Sequence, residues 1–320
     1  KNDVVANKLS KTFKPKILLR YQPICETGSR FGITGKQLPI ALELIEPCKD
    51  HIILAGFSFH LSGYDFKRRA EVASELVKWV NIARGHGFVD CHQINIGGGL
   101  PVKYTHMDEW QQFLTSITAE HFHSNKTFRH GFYPYGNVVD APLALDFLLT
   151  EKVENYYSLA QELRENKIQF AIEPGRALLD QTGISIFDIQ GLKKIDHENP
   201  YWIATVDGMS FSLSEQWFGS EFLPAPILLK PDSIKNNHVL TESIFPTAIA
   251  GSSCLECDML SWRKIPFIHK PAVNDCLIYL NTAGYQMDSN ESAFHSIPII
   301  PKVALWFDDE NMHWQLDSNV

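Results

Sequence analysis

Between residues 93 and 99 the chain reads Gln93-Ile94-Asn95-Ile96-Gly97-Gly98-Gly99, an apolar-rich run that ends abruptly on three glycines. The run has the length and texture of a buried strand, and the glycines mark a place where the backbone turns. Working outward, residues 17–21, 52–57 and 168–172 read the same way. Two of these also end on polar or glycine clusters, Phe59-His60-Leu61-Ser62-Gly63 and Glu173-Pro174-Gly175-Arg176. Amphipathic stretches lie between them. Over 67–84 the apolar residues Ala70, Ala73, Leu76, Val77, Val80 and Ala83 recur at helical spacing, with Gly85 at the expected C-cap, and a second such stretch runs over about 143–165. Strand alternating with helix in this way predicts βαβ units and a parallel sheet, either barrel or doubly wound.

Beyond Gly183 the texture changes. Short apolar segments at 184–189, 201–206, 248–251, 276–281 and 302–307 are broken by Pro, Gly, Asn and Asp, with no long helical period, which is the pattern of a mostly β domain. The expected fold class is therefore α/β plus all-β, divided into 1–182 and 183–320. A length of 320 residues accommodates two domains, and 44% apolar residues suffice for a core. With 29 basic against 37 acidic residues, net −8, the chain lacks the basic excess of a nucleic-acid binder. No apolar stretch approaches a membrane span and no signal-peptide apolar region opens the chain, so a soluble protein with no membrane partner is expected. The chain starts at Lys1 rather than Met, which leads us to expect residues upstream. Six cysteines are too sparse for a disulfide scaffold and suggest a cytoplasmic setting; Cys254 and Cys257 form a lone C-x-x-C without a second pair, so no metal is expected.

In a parallel α/β barrel, ligands bind where the loops after the strands converge, so the three clusters would face one site. Three glycines allow backbone N–H groups to approach an anion, a helix starting afterwards would add its positive end, and Arg176 offers a guanidinium. A tight turn with a surface arginine and a structural histidine at 60 explain the same residues taken singly.

Taken in order, the pieces are more specific. Ser29-Arg30-Phe31-Gly32, the His60 segment, Gly97-Gly98-Gly99 and Glu173-Pro174-Gly175-Arg176 are followed by Val206-Asp207-Gly208-Met209, Gly251-Ser252-Ser253-Cys254 and Ala283-Gly284-Tyr285 with Ala293-Phe294. This succession resembles the ornithine and diaminopimelate decarboxylases, enzymes of fold type III. The resemblance implies a partial alanine-racemase-like (β/α) barrel followed by a mostly β C-terminal domain, with pyridoxal 5'-phosphate as cofactor. It implies a small amino-acid substrate and a homodimer with shared active sites. His60 is then the histidine stacked on the cofactor ring. Gly98, Gly99, Gly175, Arg176 and Tyr285 are the phosphate cradle, with Ser62 a further donor. Glu173 is the carboxylate facing the pyridine nitrogen, where it favours the protonated, electron-withdrawing ring; racemases of this fold place an arginine there, so Glu173 favours decarboxylation. Cys254 resembles the cysteine that crosses the dimer interface to assist protonation, although free cysteines are more commonly small buried apolar residues. An epimerase on the same fold, or a non-catalytic regulator resembling antizyme inhibitor, are the alternatives.

The chain departs from this pattern at four places. The lysine that anchors the cofactor lies in the family well upstream of the motif Ser29 begins; Lys8, after Val4-Val5-Ala6-Asn7, is too close to take that role, and no such lysine is assigned. The acidic residue that reads the distal end of the substrate is Leu255, with Glu256 one step away. An arginine expected after the Asp207 region is replaced by Ser214-Glu215-Gln216-Trp217. A leucine cannot pair with a buried ammonium, so ornithine, lysine and diaminopimelate are not the expected substrates. Finally, residues 121–135 carry His121, His123 and His130 among aromatics. They read as a packed surface loop, with metal ligands or a substrate lid as the other possibilities.

Overall fold

The computed structural model describes residues 14–153, 157–196, 198–213, 219–231, 243–288, 293 and 296–317. Lys8, the 214–217 segment and Phe294 lie outside the described residues. Two compact units form, one from Lys1–Val102 with Val139–Leu178, the other from Lys103–Val138 with Leu179–Val320.

The first unit is built on a parallel sheet of β1 (Lys16–Gln22), β2 (Ile33–Thr34), β3 (Ile53–Ser58), β4 (Gln93–Asn95) and β5 (Gln169–Ala171) in the order β2-β1-β3-β4-β5. Four of these are the expected strands, and β2, a two-residue strand on the edge of the sheet, is an addition that the sequence did not announce. In β3, Leu54, Ala55, Gly56 and Phe57 are all buried, as a parallel strand covered on both faces requires. The strand register sets where the loops begin. Ser58 pairs with Asn95 and Asn95 with Ala171, so the chain leaves the three strands at one level. His60, Gly97 and Glu173 each lie two residues beyond those partners.

Helix α1 (Leu38–Ile45) is followed by α2 (Phe66–Gly85), the expected amphipathic helix, which starts where the Asp65 carboxylate accepts the Arg68 N–H at 2.8 Å. Its Leu76 and Val80 are fully buried in a core with Phe57, Ile94, Leu148 and Leu163. The terminating glycine is Gly87 rather than Gly85: Gly87 takes φ 87°, and Phe88 N–H closes on Ala83 O at 3.1 Å. The second amphipathic stretch is two helices, α4 (Ala141–Thr150) and α5 (Leu159–Glu165), separated because Ser158 and Gln161 form a capping box that begins a new helix.

The second unit holds a six-stranded mixed sheet of order β10-β9-β7-β6-β11-β8, built from β6 (Ile184–Ile195), β7 (Tyr201–Val206), β8 (Ile227–Leu229), β9 (Phe245–Ala250), β10 (Met259–Phe267) and β11 (Cys276–Leu280). A separate hairpin joins β12 (Val303–Asp308) to β13 (Asn311–Leu316). This is the expected mostly β domain. It also takes in residues 103–138, including α3 (Met107–Ser116), where the change of texture alone had placed everything up to 182 in the first domain. Aromatic packing is the reason. Tyr104 meets Tyr135 at 5.1 Å, Tyr135 meets Phe222 at 5.9 Å, and Phe222 reaches Tyr279 of β11 at 6.5 Å, while Phe122 bridges Arg263 of β10 through the backbone.

Candidate active site

The loops after β3, β4 and β5 close on one another. Gly98 N–H donates to His60 Nδ1 at 3.2 Å, and Glu173 N–H donates to Gly97 O at 2.9 Å. Asn95, which sequence reasoning passed over as a strand residue, ties the group together: its Oδ1 accepts Gly97 N–H at 2.8 Å and its Nδ2 donates to Glu173 Oε1 at 2.8 Å. The only signal in the sequence was an amide at the C-terminal end of an apolar strand. His60 is held below its ordinary pKa by partial burial first, then by the cations Arg69 and Arg20. A neutral ring with Nδ1 accepting from Gly98 follows from that environment.

Each of the three glycines is required for a different reason. A Cβ on Gly97 would stand 2.7 Å from both His60 Nδ1 and Phe59 O, and φ is 70°. On Gly98 it would stand 2.9 Å from Glu173 O, and on Gly99, at φ 81°, only 2.0 Å from Arg69 Nη2. No helix follows the glycine run, since α3 starts at Met107 in the other unit, so the expected helix dipole does not contribute here.

Arg69 was also missed, because it sits among the apolar positions of α2. It is fully buried. Its Nη2 donates to Leu61 O at 2.7 Å, Gly63 O at 2.8 Å and Gly98 O at 3.4 Å, while Nε and Nη1 have no partner among the described residues. Ser62 donates its N–H to Glu26 Oε1 at 2.7 Å and its hydroxyl to Glu26 Oε2 at 3.4 Å. Gly175, at φ 56°, opens the turn after Glu173, and Arg176 in that turn is buried rather than on the surface. The first unit thus brings together His60, Ser62, Gly98, Gly99, Glu173, Gly175 and Arg176 on its three loops.

Cys254, Leu255, Glu256 and Tyr285 belong to the second unit. The loop carrying the first three is pinned from beneath by buried Asp258, whose carboxylate accepts Ser210 N–H at 2.7 Å and Ser253 N–H at 3.0 Å. Gly251 is the only residue type that fits there, since a Cβ would stand 2.2 Å from Asp258 Oδ2. Cys254, Leu255 and Glu256 are exposed on the rim of that turn, so Cys254 is not a buried filler. Cys254 and Cys257 are free thiols. Tyr285 opens the short helix α6 (Tyr285–Asp288) and is exposed.

The 121–135 segment is packed through Phe122, Tyr133 and Tyr135, which are buried, while His121 and His130 are exposed. His121 accepts Thr118 N–H at 3.1 Å, and His123 Nδ1 pairs with Tyr201 Oη at 2.7 Å. No cluster of potential metal ligands occurs among the described residues. Phe132 packs against Phe113, Phe122 and Phe128, whereas Tyr135 lines a 240 Å³ cavity with Tyr104, Trp110, Phe113, Leu223 and Arg263. Beside it lies Glu221, 4% exposed, whose Oε2 accepts the N–H groups of Trp262 at 2.6 Å and Arg263 at 3.3 Å while Oε1 has no partner. Burial pushes its carboxyl up to about 7 despite the opposing charge of Arg263.

The residues on the first unit's loops fit the implied cofactor in two respects. The glycine turn has bare backbone packed so closely on His60, Glu173 and Arg69 that no Cβ fits, and beneath it lies a buried guanidinium with two unpartnered nitrogens and no ion pair among the described residues. A dianionic phosphate is the kind of group such a place accommodates.

Comparison with known proteins agrees. Residues 11–130 match the family described as pyridoxal-dependent decarboxylase, pyridoxal binding domain. The uncharacterized protein y4yA of Sinorhizobium fredii is 35% identical over 285 residues, covering 88% of this chain and 60% of that protein. Diaminopimelate decarboxylase of Escherichia coli is 24% identical over 289 residues, covering 86% of this chain and 56% of the enzyme. The chain therefore spans a little over half the length of these curated relatives. Among solved structures, a diaminopimelate decarboxylase superposes with TM-score 0.61 at 20% identity, covering 93% of this chain and 63% of that one. The arginine decarboxylase of Paramecium bursaria Chlorella virus gives 0.59 at 15%, covering 88% and 64%. Loops, fold and sequence converge on one conclusion: residues 11–130 carry the pyridoxal-binding domain of the pyridoxal-dependent decarboxylases, and the chain has the fold of those enzymes.

Proposed function

We propose that the protein is a pyridoxal-phosphate-dependent amino-acid decarboxylase whose substrate is not ornithine, lysine or diaminopimelate. The observation that carries this reading is the meeting of His60, Gly98, Asn95 and Glu173 at one level of the parallel sheet. The bound cofactor supplies an electron sink for the charge left on the substrate as carbon dioxide departs. The chain's own residues hold and tune it. Glu173, oriented by Asn95, would keep the ring nitrogen protonated, and neutral His60 would face the ring. Gly99, Gly175 and Arg176 would hold the phosphate; Gly98 and Ser62 would join them only by exchanging their partners His60 Nδ1 and Glu26.

Cys254, presented on its turn by Asp258, would donate a proton in the site of a partner subunit, which makes the working form a homodimer with shared sites. Leu255 leaves a substrate ammonium unpaired, so the substrate is an amino acid with an apolar, aromatic or bulky conjugated side chain. The test is release of carbon dioxide from a panel of amino acids by the full-length gene product. Turnover confined to apolar or aromatic members, and lost in Glu173→Ala, is expected. An undiminished rate in Glu173→Ala would overturn the reading.

A further inference from the structure

Arg69 has more structure around it than a helix needs. It is the fourth residue of α2, and a cation so near the start of a helix opposes the helix dipole, so α2 gains nothing from the charge. A fully buried guanidinium is costly unless paired, yet no ion pair engages it among the described residues and two of its nitrogens lack partners. Its third nitrogen gathers three carbonyls from two loops, those of Leu61 and Gly63 after β3 and that of Gly98 after β4.

All peptide bonds described are trans. In a trans peptide the C=O and the following N–H point in opposite directions. Drawing the carbonyls of Leu61 and Gly98 onto Arg69 therefore turns the N–H groups of Ser62 and Gly99 away from it, toward the opposite side of the loops. One of these two already shows what that side attracts: Ser62 N–H holds the Glu26 carboxylate at 2.7 Å. Gly99 N–H makes no hydrogen bond among the described residues. A carbonyl that accepts from a cation also polarises its peptide and strengthens the N–H as a donor. The 2.0 Å approach that forbids a Cβ on Gly99 is to this same guanidinium.

We infer that Arg69 is a positioning residue for the cofactor phosphate, setting the peptide planes that present N–H groups to the anion and supplying from beneath the loop a charge that the phosphate balances. This rests on the pyridoxal-phosphate reading above. It is tested on this chain by equilibrium binding of pyridoxal phosphate and of pyridoxal, which differ only in the phosphate, followed by fluorescence titration. The unmodified chain should prefer pyridoxal phosphate, and in Arg69→Gln that preference should fall at least tenfold while the affinity for pyridoxal changes less than threefold. A merely structural arginine would weaken both ligands together. Arg69→Lys keeps the charge but not the planar fork, and its preference should fall about threefold; it gives the decisive reading if Arg69→Gln does not fold. Preference retained in the folded variants, or equal loss of both ligands, overturns the role of Arg69 alone. No preference in the unmodified chain overturns the phosphate site itself.

Discussion

Replacing Glu221 by glutamine should change how stability responds to pH. The carboxyl is buried, with Oε2 accepting two backbone N–H groups of β10 and Oε1 without a partner. Its ordinary value of 4.5 is raised to about 7 in the folded protein, chiefly by desolvation. Between those two values the folded protein binds a proton that the unfolded chain has released, so stability falls as pH rises through this window and levels off above it. At about 1.4 kcal/mol per tenfold change in proton affinity, the full window is worth roughly 3 kcal/mol. Glutamine keeps an acceptor for the two N–H groups and carries no titration. Its amide NH₂ takes the place of the unpartnered oxygen, which sets the absolute level of the variant's stability but not its pH dependence. The stability of Glu221→Gln relative to the unmodified protein should therefore shift in the variant's favour by roughly 3 kcal/mol between pH 4.5 and pH 8. Urea denaturation followed by tryptophan fluorescence at a series of pH values measures this difference. Parallel pH profiles for the two proteins would show that Glu221 ionises without penalty and that the reasoning is wrong.

Three further outcomes are expected. Mixing a Cys254→Ala protein with a Glu173→Ala protein should restore part of the activity, because a mixed dimer has one intact site; no recovery after demonstrated subunit exchange would count against shared sites. Leu255→Asp should raise turnover of ornithine, by on the order of a hundredfold or more if a buried ammonium gains its partner; efficient ornithine turnover by the unmodified enzyme, unchanged in the variant, would assign the amine to another residue such as Glu256. Leu76→Ala, at a fully buried position of α2, should cost about 2–5 kcal/mol in urea denaturation, and a loss below 1 kcal/mol would mean that the core around it collapses to fill the space.

Much of the first unit was legible because its signals are local. Three apolar runs ending in His60, Gly97 and Glu173 announce a ligand-binding end once the sheet is parallel, and the register then levels them. The period of α2 was equally plain, but periodicity averages over a face and hides an exception, which is why Arg69 went unnoticed among alanines and leucines. Asn95 was overlooked for the opposite reason, since its partners come from 2 and 78 residues away and have no signature in the strand itself. The break between α4 and α5 turned on one capping box, a stronger stop than the apolar pattern running through it suggested. The 103–138 segment joined the β unit through ring contacts with Phe222, whose distance along the chain no spacing rule anticipates.

The three glycines after β4 carry a genetic consequence. Because alanine at each would collide with a different neighbour, second-site revertants should be allele-specific. Trimming the side chain at position 69 opens the space that a methyl group at 99 needs, although the backbone angle there keeps the rescue partial. The same change does nothing for alanine at 97, whose obstacles are His60 and the fixed carbonyl of Phe59, nor for alanine at 98, which meets the carbonyl of Glu173. A suppressor screen begun from the three alanine alleles would then return changes at position 69 from the position-99 allele alone.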